Sequence, residues 1–258
     1  PHTHTNRYLR WYEEGHFSCT GECFDIGITT REALLRFQRQ GAVSGGTRER
    51  AAGNGSLMRL APVPLAFAGR DEATVMAMAA ASSGTTHAAD LAVDCCRYLA
   101  LLMLGCIHGR PKAELLAPAY AQQHLPAVAE PVRQLALECT FASREPPEIV
   151  GSGFCVRSLE AALWAFHRTD NFMDGLIACV NLGDDGKEEE EDDDDDDDDD
   201  DEGGGGRGRG GGGDEDDSNN VFVRVVCVCV CVCVCVCVCA THTHTHTERE
   251  RERERERE

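Results

Sequence analysis

Residues Asp90–Ile107 read DLAVDCCRYLALLMLGCI, and from Leu99 onward this stretch is apolar on nearly every side. A surface helix needs a polar face, so a helix apolar all round belongs inside, with other helices wrapped about it. That requirement sets the class as all-α, a bundle around a buried helix. The neighbouring sequence agrees. Leu34 and Phe37 share a face of a segment running to Gln40, which Thr29 or Thr30 can cap and Gly41 can end. Residues 71–83 are rich in Ala and Met and close on Ser-Gly. Val156, Leu159, Leu163 and Phe166 form an amphipathic stripe at helical spacing. Asn171, with Asp174 three residues on, has the form of a capping box for a helix to Val180. No alternating strand pattern occurs before residue 221.

From residue 186 onward, pattern replaces this variety. An acidic run spans 188–202, a Gly-rich stretch follows, and then Val alternates with Cys, Thr with His and Glu with Arg. Each alternation is what a two-base repeat encodes: GT for Val-Cys, AC for Thr-His and GA for Glu-Arg. The tail therefore reads as translated simple-sequence DNA, and the opening PHTHT has the same look. Acidic and Gly-rich segments bury too little apolar surface to fold, so 186–258 is expected to be a disordered low-complexity tail beside a domain at 1–185. The Val-Cys run has high β-propensity and neither Pro nor charge, which makes it an aggregation hazard. It is short of the roughly 20 apolar residues that a membrane helix needs. Its Cys and the neighbouring His are ligand types for soft metals, but ligand density without fixed geometry makes no site.

The same division governs charge and cysteine. The net charge is −20, yet residues 1–183 hold 16 Lys+Arg against 18 Asp+Glu, while 184–258 hold 9 against 27. The acidity thus says nothing of what the first part binds. Eight of the 15 cysteines lie in 1–183 without paired Cys-x-x-Cys spacing, and Cys95, Cys96, Cys106 and Cys179 sit in apolar surroundings. Free buried cysteines suit a reducing compartment, so an intracellular, cytoplasmic protein is expected, with neither membrane nor nucleic acid as partner. No signal peptide is visible. PHTHTNRYLR is not an initiator sequence, and the chain is expected to begin mid-protein.

Several short motifs admit two readings each. Gly53, Asn54, Gly55 and Ser56 precede an apolar segment at 57–67. They suit an ordinary Asn-Gly turn, or a loop whose backbone approaches an anion such as a pyrophosphate. His87, in TTHAAD at the start of the central helix, is a capping or core histidine, or a donor to a phosphate or ribose hydroxyl. Asp25, in FDIG, suits turn or cap chemistry. Phe154, in GSGF, suits a core position or a stacking ring.

Four ordered segments tie these motifs together: NRYLRWYEEGHFSCTGECFDIGITTREALLRF at 6–37, AAGNGSLMRLAPVPLAF at 51–67, SSGTTHAADLAVDCCRYLA at 82–100, and GSGFCVRSLEAALWAFHRTDNFMDGLIACVNLGDD at 151–185. In order and spacing they resemble the ADP-ribosylglycohydrolase family, whose dinitrogenase-reductase-activating members remove ADP-ribose from a modified protein. The resemblance implies a partial orthogonal helix bundle of that type. It implies that the GNGSLMR loop, with Gly53, Asn54, Gly55, Ser56 and Met58, faces ADP-ribose together with His87 and Phe154. It implies a catalytic Asp25 near the ribose at the scissile bond. Ile28 stands where relatives often have Asn, so one polar contact differs.

The family uses two Mg2+ ions, held by an early Asp-rich motif and by Asp-x-Asp-Thr after Asn-Leu-Gly. Here the early motif is absent. Asp185 matches the first Asp of the late one, while Lys187 and Glu188 replace its second Asp and its Thr. Asp184 and Asp185 equally suit the start of the acidic run. The activity implied is metal-assisted hydrolysis of the glycosidic bond between ADP-ribose and a protein side chain or a related conjugate. The alternative is an inactive ADP-ribose-binding or crystallin-like structural relative. ADP-ribose or an ADP-ribosylated protein is the implied partner. Without the family's opening and closing helices, the central helix is expected to lose packing partners and the chain to be poorly soluble or dimeric.

Overall fold

The computed structural model describes residues 2–182, except 24, 25, 44, 49, 50 and the side chain of 172. Asp25, Asp184, Asp185, Lys187 and the whole repeat tail with its expected disorder lie outside the described residues. The described chain is a run of helices: α1 (His2–Glu14), α2 (Ile28–Gln40), α3 (Gly55–Met58), α4 (Pro62–Ala66), α5 (Glu72–Ser83), α6 (Asp90–Ile107), α7 (Lys112–Leu115), α8 (Pro118–His124), α9 (Glu130–Glu138), α10 (Thr140–Ser143), α11 (Cys155–Arg168) and α12 (Phe172–Val180). Extended pairing among the described residues is confined to two isolated bridges, Gly46 with His87 and Gly53 with Phe154. The all-α expectation holds. None of these helices is long and apolar enough to cross a membrane.

The centre of the fold is α6, with the bounds its apolar pattern predicts. Every residue from Tyr98 to Cys106 is buried. It packs against α3, α4, α5, α7, α9 and α11. The expected loss of packing partners is therefore not found, because these six helices enclose it. Burying each leucine of this helix is worth about 1.5–3 kcal/mol, so α6 contributes heavily to holding the bundle together. Leu159, Leu163 and Phe166 on α11 bring their stripe to the same core, and Val156 lies at its edge. Cys95, Cys96, Cys106, Cys155 and Cys179 are free thiols within the core, where they pack as small hydrophobes.

Local signals explain several helix ends. The Asp71 carboxylate accepts the Thr74 N–H at 2.9 Å and caps α5. Asn171 accepts the Asp174 N–H at 3.0 Å and caps α12, and the two side chains bond each other at 2.6 Å. Gly41 ends α2 in the left-handed region, with φ 66°, its N–H on the Phe37 carbonyl. The start of α2 corrects the expectation of a threonine cap. Gly27 occupies the cap position, and Thr29 and Thr30 fall within the first turn, where their own N–H groups need caps. Residues 2–5, set apart in the sequence as a repeat, form the first turn of α1. That helix lies on α2, with the His2 and Phe37 rings 5.8 Å apart.

Candidate functional site

The two bridges tie three distant loops together. Residues 45–46 lie along the loop before α6: Gly46 N–H donates to the Thr86 carbonyl at 3.1 Å, and Ala88 N–H returns to Gly46 at 2.9 Å. The Gly53–Asn54 turn lies against the loop before α11. There Asn54 N–H donates to the Gly153 carbonyl at 2.7 Å and Cys155 N–H to the Ala52 carbonyl at 2.9 Å. His87 stands between them. A Cβ on Gly53 would lie 3.4 Å from His87 Nε2, and one on Gly55 only 2.9 Å from Cε1 and 3.1 Å from Nε2. The glycines of GNG thus leave the space that the imidazole fills, a close approach that a side chain would block. The position of a Cβ on Gly55 is also 3.8 Å from Thr30 Oγ1 at the start of α2.

Gly53, Asn54, Gly55 and Ser56, expected as one ligand-facing loop, divide by direction. Asn54 is buried, and its amide donates to the Ser152 carbonyl at 3.2 Å and to Ser158 Oγ at 3.3 Å, fastening the turn to α11. Ser56 points inward, 2.9 Å from the Ser83 hydroxyl and 3.4 Å from the Cys96 thiol. Met58 is half-buried against the core. The glycines therefore present the open face of this loop. The expected helix-start anion site is weakened, because α3 is a single turn with little dipole to sum. Phe154, 38 % exposed, is not a core residue. It stands at the surface beside Gly53, as a ring free to stack would.

His87 does not open the helix as its sequence position suggested. It lies in the extended stretch three residues before Asp90, buried, with Nδ1 2.7 Å from Thr86 Oγ1. Burial, and secondarily the Arg59 guanidinium, push its pKa down to about 4, so the ring is neutral at physiological pH. Arg59 closes the back of the site. Its guanidinium donates to the Gly55 carbonyl at 3.4 Å, and to the Ser82 carbonyl and Thr85 Oγ1 at 3.0 Å each, while stacking over Tyr8 at 5.2 Å. Arg59 stands within GNGSLMR, but nothing in the sequence marks its part in the site, and the same holds for Thr86 and, beyond the doublet itself, for the Gly45-Gly46 pair. A glycine doublet signals close backbone approach, and that was the one clue available.

A pair of hard cations needs converging carboxylates. Among the described residues, no three His, Cys, Asp or Glu side chains converge on a metal-sized site. The buried acids there are otherwise engaged: Asp94 with Arg97 and the Ala129 N–H, Glu160 with Arg144 and Thr140. The described residues alone therefore do not supply the donors for two Mg2+ ions; Asp185, with Lys187 and Glu188 at the late motif, lies outside them, and no step is derived through the ions.

Comparison with known proteins matches this arrangement to one family. The ADP-ribosylglycohydrolase family model matches residues 1–187. An ADP-ribosylarginine hydrolase of Pseudomonas putida is 36% identical over 71% of this chain and 48% of its own length. One from Serratia proteamaculans is 34% identical, over 69% and 47%. The ADP-ribosyl-[dinitrogen reductase] glycohydrolase of Rhodospirillum rubrum is 27% identical, over 62% and 50%. A solved structure titled an ADP-ribosylglycohydrolase-related protein complex superposes with a TM-score of 0.59 at 36% identity, covering 72% of this chain and 58% of that one. The chain thus spans about half the length of the curated relatives it matches. Over the residues that build the bundle and the glycine–histidine site, this chain belongs to the ADP-ribosylglycohydrolase family.

Proposed function

We propose that the face formed by Gly53, Gly55, His87 and Phe154 binds ADP-ribose, and that this domain serves hydrolysis of an ADP-ribosyl bond to a protein side chain, arginine foremost. The observation that carries the reading is the packing of His87 between the two glycines of the loop that bridges to Phe154. Bare glycine backbone lets a pyrophosphate approach, a neutral imidazole suits a phosphate or ribose oxygen, and an exposed ring suits stacking on a base or sugar face. Arginine is favoured because two relatives at 36% and 34% identity are described as ADP-ribosylarginine hydrolases.

In this reading water attacks the anomeric carbon, its hydroxyl stays on the ribose, and the side-chain nitrogen leaves with a proton. Asp25 is proposed beside that carbon. Mg2+ with Asp185 as a ligand belongs to the same proposal, and when bound would order the sugar hydroxyls.

Titration calorimetry of the full chain with ADP-ribose, with and without chelator, tests this, alongside release of ADP-ribose from an ADP-ribosylated arginine protein. Saturable binding with magnesium-dependent release is expected. Chelator-insensitive binding without release would replace the hydrolase by a binding module, a reading that Lys187 in place of the second Asp favours. Absence of binding would sink both.

A further inference from the structure

Thr86 is fully buried, and His87 Nδ1 at 2.7 Å is the one partner of its hydroxyl among the described residues. A hydroxyl carries one hydrogen, and a neutral imidazole carries one N–H. Two arrangements are possible. If Nδ1 held the proton and Thr86 accepted it, the threonine hydrogen would be buried with nothing to receive it. An unmet buried donor costs more than an unfilled lone pair on a hydroxyl oxygen. The other arrangement has Thr86 donating to a bare Nδ1 and leaves the ring proton on Nε2, which, unlike the fully buried threonine hydroxyl, is not sealed among the buried unpartnered atoms, so its N–H can reach water or a ligand.

Nε2, with Cε1 beside it, forms the ring edge that faces the glycine loop. It lies 3.4 Å from the position of a Cβ on Gly53 and 3.1 Å from that on Gly55, and it has no hydrogen-bond partner among the described residues. Three further contacts hold the backbone that carries the ring. The Ser83 hydroxyl donates to the His87 carbonyl at 2.8 Å, His87 N–H donates to the Ser83 carbonyl at 2.8 Å, and the Gly46 strap lies alongside. We propose that Thr86 is a positioning residue. Its hydroxyl locks His87 in the Nε2–H tautomer, so that the imidazole offers a hydrogen-bond donor, and not an acceptor, to an oxygen of the ligand above Gly53 and Gly55. This rests on the ADP-ribose reading for the ligand, though the tautomer itself does not. The site accordingly selects for a phosphate or hydroxyl oxygen at this point and against a group that must donate there.

The test is the imidazole 15N spectrum of the full-length chain at pH 7, with His87 assigned by loss of its signals in His87→Gln. The expected result is a protonated Nε2 and a bare Nδ1. A protonated Nδ1, or an even mixture of tautomers, overturns the proposal. Thr86→Val should mix the tautomers and weaken ADP-ribose binding about tenfold, while Thr86→Ser should keep both near wild type. Unchanged affinity in a folded Thr86→Val would also overturn it. Should that variant not fold, the wild-type spectrum and Thr86→Ser still decide. If Nε2–H is found but wild type does not bind ADP-ribose, the ligand assignment falls while the tautomer lock stands.

Discussion

Gly45 and Gly55 differ in what a side chain would strike. A Cβ on Gly45 would lie 2.5 Å from the Thr86 carbonyl carbon and 2.7 Å from the His87 nitrogen, both backbone atoms that cannot step aside. Gly45→Ala is expected to cost about 2 kcal/mol or more in urea unfolding. On Gly55 the methyl meets the His87 ring edge at 2.9 Å, and a ring can swing. Gly55→Ala should change stability by less than about 1 kcal/mol yet reduce ADP-ribose affinity several-fold by calorimetry. Loss of stability without loss of binding would contradict this. His87 also sets a pH signature. The unfolded chain protonates this residue near pH 6.5, the folded one only near 4. Between those values the unfolded state binds the extra proton. Stability from this group is therefore complete above about pH 6.5 and declines as pH falls toward 4, by on the order of 3 kcal/mol. A urea series for wild type and His87→Gln should diverge in that window; parallel curves would refute the assignment.

Among the elements, α6 was the most legible, because a helix apolar on every side leaves little choice of boundary. The stripe on α11 and the caps of α5 and α12 were readable for similar local reasons. The start of α2 was not, since two adjacent threonines offered a plausible cap where Gly27 holds the position. Helices α7 to α10 gave no periodic signal, each running only four to nine residues. What joins them to the core is tertiary: the buried Asp94 on α6 accepts the Ala129 N–H at 2.8 Å at the head of α9 and pairs with Arg97 at 2.6 Å. Asp94→Ala leaves that N–H unmet and should destabilise the chain by about 1–3 kcal/mol. Asp94→Asn keeps an acceptor and loses a pair whose arginine is a third exposed, so its cost should stay near 1 kcal/mol or less. Equal losses in the two variants would assign the effect to charge instead.

For the molecule as a whole, the site was visible in the sequence only as scattered motifs. Gly46, Gly53 and Gly55 lie 41, 34 and 32 positions before His87, and Phe154, bridged to Gly53, lies 67 after it, and no local pattern encodes such distances. Family resemblance brings Gly53, Gly55, His87 and Phe154 together, whereas Arg59 and Thr86 stand out only in the folded chain, where they bond to other groups around the site. The two bridges have a consequence for motion. Gly46 is anchored to the loop before α6 and Asn54 to the loop before α11. The amides of Gly46, Ala88, Asn54 and Cys155 are expected to exchange with deuterium as a single cooperative unit, and ADP-ribose to slow all four together. Independent rates would mean that the strap yields one end at a time.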